Sequence, residues 1–174
     1  MTWEIDKSRT KLEFTVRHMM IQTVRGSFRE YEAALNIDDK DLSKSTVKAR
    51  ISSRSISTGD RLRDEYLISK NFFNPDEFPF VVYESTSVRL SGKNLTLSGR
   101  LKIRDKEQQL ILSGSVKGPS AGFGGGARRL VFDLRGEVER GAYNIVFNGA
   151  VETVSIVVGK KVNLLLSVEL TEQS

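Results

Sequence analysis

Apolar and polar residues alternate with a period of two along almost the whole chain, and that pattern admits strands with one buried face while excluding a helical bundle. Leu12, Phe14, Val16 and His18 share one face of a first strand. Val24, Gly26 and Phe28, followed by Tyr31, Ala33, Leu35 and Ile37, predict a long strand whose phase slips between Phe28 and Tyr31, as a β-bulge or sharp bend produces. Val47, Ala49 and Ile51 mark the next strand. Val81 to Leu90 and Leu95 to Ile103 flank Ser91-Gly92-Lys93-Asn94, whose Gly and Asn tolerate positive φ, and predict a hairpin. A turn through Arg104-Asp105-Lys106-Glu107 leads to Leu110, Leu112, Gly114 and Val116. Gly99 and Gly114 on these apolar faces leave room for a bend or a close neighbour. Leu130, Phe132, Leu134, Gly136 and Val138 form another strand, and Val162 to Leu170 the last, after a turn expected at Gly159-Lys160.

About eight antiparallel strands with short turns predict an all-β fold, an up-and-down barrel or a sandwich, and the strand count favours closure. One stretch breaks the pattern. In Asp60 to Pro79, Leu62, Tyr66 and Leu67 fall on one helical face and Thr58 or Asp60 can cap the start. The aromatics Phe72, Phe73 and Phe78 follow, with Pro75 and Pro79 fixing their backbone. A short helix near residues 60–70 in a small β protein suits a lid or plug.

Composition narrows the function classes. The 174 residues fit a single domain, 1–174, with a core that needs no metal or disulfide. The net charge of +5 is spread along strands with no basic stripe or interleaved aromatics, so no nucleic-acid partner is expected. Cysteine is absent and His18 is the sole histidine, which rules out thiolate chemistry and a two-histidine metal site within one chain. No metal and no cofactor are expected. No Gly-x-Ser-x-Gly elbow accompanies His18, and the glycines of 122–126 lack the Lys-Ser/Thr ending and following helix of a phosphate loop. Carboxylate pairs such as Asp38-Asp39 and Asp76-Glu77 sit in polar turns, where solvated charge is the default. The N-terminus has no basic segment leading into an apolar one, and no window approaches the roughly 18 apolar residues that span a bilayer. A cytoplasmic location is the expectation. What remains is an apolar interior with a few polar residues at one end, the usual make-up of a pocket for a lipophile.

Several short motifs, in order and spacing, carry a resemblance. They are Trp3-Glu4-Ile5-Asp6, Phe14-x-Val16-x-His18-Met19, Val24-Arg25-Gly26-x-Phe28, Ser57-Thr58, Arg63-Asp64-x-x-Leu67, Asn71-Phe72-Phe73, Phe78-Pro79, Leu97-x-Gly99-x-Leu101-x-Ile103-Arg104 and Val162 to Leu170 in alternation. Together they resemble the YceI-like family of bacterial polyisoprenoid-binding proteins over nearly the whole length. The resemblance implies a lipocalin-like barrel that holds a long isoprenoid chain, with the helical insert near its polar end.

By matching position, Phe14, Val16, Phe28, Leu101 and Phe132 are expected to face the lumen, with Phe72 and Phe73 near the mouth. His18, Arg25, Asp64 and Tyr66 are the polar candidates. Two departures stand out. Members of the family commonly carry a histidine where this chain has Tyr66, and a phenol donates a hydrogen bond but holds no positive charge near neutral pH. Many members also begin with a secretory leader, so periplasmic residence does not carry over.

The function expected is non-catalytic binding, sequestration or transport of an isoprenoid or similar lipophile. Two alternatives are an enzyme on a lipophilic substrate using His18 or Asp64, and a solid-cored interaction module. A homodimer is left open, since no feature decides it.

Overall fold

The computed structural model describes residues 2–18, 22–121, 125–145 and 158–173. Its strands are β1 (Thr2–Ile5), β2 (Lys11–His18), β3 (Gln22–Phe28), β4 (Tyr31–Asn36), β5 (Thr46–Ser52), β6 (Ile56–Ser57), β7 (Phe80–Ser91), β8 (Asn94–Ile103), β9 (Lys106–Ser120), β10 (Arg129–Glu139) and β11 (Val158–Gln173). One α-helix, α1 (Arg61–Leu67), falls between β6 and β7. The strands make one antiparallel sheet in the order β4-β5-β7-β8-β9-β10-β11-β2-β3-β6, with β1 also on β11.

Three pairs of these strands are single spans broken by a corner, which is how eleven strands agree with the eight that the alternation predicts. β1 and β2 both lie along β11, interrupted where Asp6 folds its carboxylate back to accept from Ser8 N at 3.1 Å and Ser8 Oγ at 2.6 Å. β3 runs into β4 through Arg29-Glu30, at the predicted phase slip. β5 runs into β6 through Ser53–Ser55. Because β3 pairs with β6 while β4 pairs with β5, the two ends of the sheet meet at this corner and the sheet curls into a barrel. Arg29 N donates to Ser55 O at 3.3 Å and Ser52 N to Glu30 O at 2.9 Å across it. Ser53, 2 % exposed, donates from its amide to Pro79 O and from Oγ to Phe78 O, tying the post-helix segment to the same corner.

The hairpins follow the turn chemistry. Ser91 faces Asn94 around Gly92 at φ +61°, and Ile103 faces Lys106 around Arg104 at φ +57°. One expectation fails. Gly159-Lys160 is not a turn but lies inside β11, where the step from Val158 to Val162 opposes only the step from His18 to Val16. Extra residues on one strand make a bulge, and a glycine suits a bulge as well as a turn. Of the glycine-rich stretch 122–126, residues 122–124 lie outside the described residues.

The core includes Leu130, fully buried, with Phe72 and Leu170 at 2 % and Leu112 and Tyr143 at 3 % exposure. Gly99 is needed here: a Cβ on it would stand 2.5 Å from Glu84 O and from the Tyr83 ring, which lies across the glycine. Tyr83 Oη lies 3.2 Å from Leu110 O and 3.4 Å from Leu97 O, so its hydroxyl has a carbonyl to donate to.

Burial pushes the Tyr83 and Tyr143 phenols up from 10.0 to about 12. An unfolded chain would lose these protons near pH 10 while the folded barrel keeps them. Stability is therefore expected to be unaffected by the two phenols below pH 10 and to fall between pH 10 and about 12. Denaturant unfolding on either side of pH 10 measures this. Loss of the pH dependence in Tyr83→Phe and Tyr143→Phe variants would assign it.

Candidate ligand-binding lumen

The inward faces of the strands enclose a cavity of about 670 Å³, within the range of small-ligand sites. Its wall is aliphatic and aromatic because each strand turns its apolar alternate residues inward: Phe14 and Val16 on β2, Val24 and Phe28 on β3, Leu164 and Leu166 on β11. The aromatics form a ladder. The Phe14 and Phe28 rings lie 5.8 Å apart, and the Phe73 ring meets Phe28 edge-on at 5.9 Å.

At the rim, α1 contributes Leu62, Arg63, Tyr66 and Leu67 to the lining. The helix starts at Asp60, whose carboxylate accepts from Arg63 N at 3.2 Å, so of the two expected caps it is Asp60 that serves. No residue of α1 is buried; Leu62 is 71 % and Tyr66 56 % exposed. A seven-residue helix with no buried face would not persist alone and needs an anchor. Thr58 supplies it: its amide and Oγ1 donate to Asp64 Oδ1 at 2.9 and 2.5 Å. Arg63 Nε donates to Thr58 Oγ1 and Nη2 to Thr58 O, both at 2.8 Å.

Asp64→Ala leaves the part-buried Thr58 amide and hydroxyl without this acceptor, so a loss of about 1–2 kcal/mol is expected. Asp64→Asn keeps an acceptor oxygen and should recover part of it. Hydrogen exchange at the Thr58 amide, faster in the alanine variant, is the local readout.

Other charged residues on the lining are also engaged. Glu13 alternates with the inward Leu12 and Phe14 and reaches Arg25 on the outer face at 3.9 Å, and Arg140 Nη1 donates to Ile145 O at 3.0 Å. Burial pushes the Arg140 guanidinium down from its ordinary value. Away from the rim, Arg128 bridges Glu172 (Nε to Oε2, 2.6 Å) and Asp39 (Nη2 to Oδ2, 2.5 Å) and sits over the Trp3 ring at 5.7 Å. Its hydrogen bonds hold the Glu172 carboxyl below the usual carboxylate range. Ile37 lines the lumen and also borders this cluster.

Of the residues singled out from sequence, Phe14, Val16, Phe28, Leu101, Phe132, Phe73 and Tyr66 line the cavity. Three do not. Phe72 is no mouth residue but part of the core at 2 % exposure, while Phe73 beside it packs on that core and lines the lumen, in a turn where no strand parity assigns the two rings. Arg25 sits opposite Thr15 on the outward alternation of β3, 64 % exposed, paired with Glu13. Asp64 turns to Thr58 and holds the helix. His18 ends β2 opposite Gln22 and Val158, and its side chain lies outside the described residues. Leu62, Arg63 and Arg140, with Leu35, Ile37 and Val47, also line the lumen. For Leu35, Ile37 and Val47 the signal was the same inward parity as their neighbours. Arg140 follows the end of β10, beyond the reach of any periodicity.

Comparison with known proteins agrees with this architecture. The model of the YceI-like domain matches residues 3–170. A UPF0312 protein of Staphylococcus aureus is 31 % identical over 164 residues, 94 % of each chain. Among solved structures, BcnA of Burkholderia cenocepacia superposes with a TM-score of 0.81 at 19 % identity, covering 95 % of this chain and 99 % of that one. A polyisoprenoid binding domain from Saccharophagus degradans, implicated in plant cell wall breakdown, superposes at 0.71 with 12 % identity over 98 % of both chains.

Proposed function

Since the chain belongs to the YceI-like family, we propose that it is a binding protein that takes a long isoprenoid chain or similar lipophile into its lumen and sequesters or carries it. One observation carries the reading: a cavity of about 670 Å³ whose wall is apolar and whose charged residues are already held by partners within the chain. Such a lumen offers a ligand apolar contact along its length. Each 100 Å² of apolar surface withdrawn from water contributes about 2.5 kcal/mol before the costs of association, so affinity grows with the length of chain enclosed. The similarity in fold to a polyisoprenoid binding domain supports the isoprenoid class.

The polar end of the ligand is assigned to the rim, beside Tyr66 and Arg63. Tyr66 offers one hydroxyl and no charge, and Arg63 already directs Nε and Nη2 to Thr58, which suits an alcohol or quinone oxygen better than it would serve a diphosphate. Enzymatic use of Asp64 finds no support in a carboxylate turned to Thr58.

Uptake of a radiolabelled polyprenol from neutral vesicles tests the reading. Saturable uptake near one molecule per barrel is expected; uptake no greater than that of an unrelated β protein would contradict it. Transfer of the label onward to acceptor vesicles would separate a carrier from a sequestering protein.

A further inference from the structure

We propose that Gly26 sets the width of the lumen at its aromatic wall, and that the missing side chain there is what admits a methyl-branched chain as well as a straight one. The inference rests on the lumen being the ligand site. Gly26 is the residue opposite Phe14 in the β2–β3 ladder, on the inward face between Val24 and Phe28. The Phe14 ring lies flat over it. A Cβ added at Gly26 would stand 2.7 and 2.8 Å from Phe14 Cε1 and Cε2, and nearer still to Cζ. No real carbon tolerates that separation, so either the glycine stays or the ring moves.

The surroundings fix the direction of the movement. On its own strand the ring is flanked by Leu12 and Val16, on β11 it is opposed by Leu164, and Phe28 stands 5.8 Å away on β3. The strand backbone lies behind it. The unfilled direction is the lumen, which Phe14 lines. Pushing the ring inward by the width of one carbon removes from the lumen about the width that one methyl branch needs. Gly99 makes the contrast: it too lies under a ring, and Tyr83 also borders the lumen, but a Cβ there would meet Glu84 O as well as the ring, and the Tyr83 hydroxyl is placed to hydrogen-bond backbone carbonyls, so a change there strains the fold itself.

The test compares geranylgeraniol with hexadecanol, which matches its main-chain length but has no methyl branches, by displacement of a lumen-bound fluorescent dye. Wild-type protein is expected to bind both. Gly26→Ala is expected to weaken geranylgeraniol by about tenfold or more and hexadecanol much less. Phe14→Leu in the Gly26→Ala background should restore geranylgeraniol, because a shorter side chain no longer meets the added carbon. Unchanged selectivity in folded Gly26→Ala protein, or no recovery in the folded double variant, would overturn the inference.

Should Gly26→Ala not fold, Phe14→Leu alone carries the test. It should shift the preference further toward geranylgeraniol, and no shift would count against the inference. Wild-type protein that binds neither alcohol overturns the binding reading itself. In that case a crystal structure of Gly26→Ala with the Phe14 ring unmoved would refute the steric claim separately.

Discussion

Phe28→Asp is expected to lower affinity for a long-chain lipophile at least about a hundredfold while the barrel still folds. Phe28 touches Phe14 on one side and Phe73 on the other, at the centre of the aromatic ladder, and its remaining surface faces the lumen. In the empty protein an aspartate there is hydrated by water in the cavity. When a ligand enters, that water leaves and the carboxylate is stripped of hydration between two apolar rings, which costs several kcal/mol. The two ring contacts are worth about 0.5–1.5 kcal/mol each beyond the apolar area they bury, and Phe28 is only half-buried in the empty barrel, so the loss of fold stability is expected to be smaller than the loss of binding. Titration calorimetry and thermal melting read the two effects separately. A variant that melts far below the parent yet binds with unchanged affinity would make Phe28 an ordinary core residue.

Leu130→Ala should show the opposite balance. Leu130 is fully buried on the inward face of β10, two residues before Phe132, and does not border the cavity. Truncating a buried leucine removes transfer energy and leaves a void, together about 2–5 kcal/mol. For a chain of this size that lowers the melting temperature by on the order of 10 °C. The denaturant midpoint should fall without a change in slope. Phe132→Ala, on the same face but against open lumen, should cost less stability and more binding. Equal stability losses at the two positions would deny the division between filled core and hollow lumen.

The barrel was legible in sequence because the inward face of a strand is a parity, and parity survives wherever a strand is regular. Phe14, Val16, Phe28, Leu101 and Phe132, expected at the lumen by matching position in the resemblance, each lie on an apolar parity of their strand, and all line the cavity. The rule failed where the backbone departs from a pleat. Phe72 and Phe73 follow a helix, where period two means nothing, and the core took one ring while the lumen took the other. Gly159-Lys160 reads equally well as a turn or a bulge, and only the pairing of Val158 with His18 and Val162 with Val16 decides.

Asp64 was hidden for a different reason. Its partner, Thr58, is local in sequence, but whether a carboxylate caps a neighbouring loop or meets a ligand depends on the rotamer chosen in three dimensions. Gly26 was visible as a glycine on an apolar face, yet its significance comes from the ring across the ladder. Cross-strand register supplies that information, and alternation alone does not.

The central claim is that the interior of this barrel is a container. The most direct measurement is organic-solvent extraction of the purified protein followed by mass spectrometry, with Phe28→Asp protein purified in parallel. A long-chain apolar molecule, near one per barrel, should come from the parent and be depleted from the variant. Parent extracts with no lipophile, from protein that also takes up none when offered a polyprenol, would contradict the account.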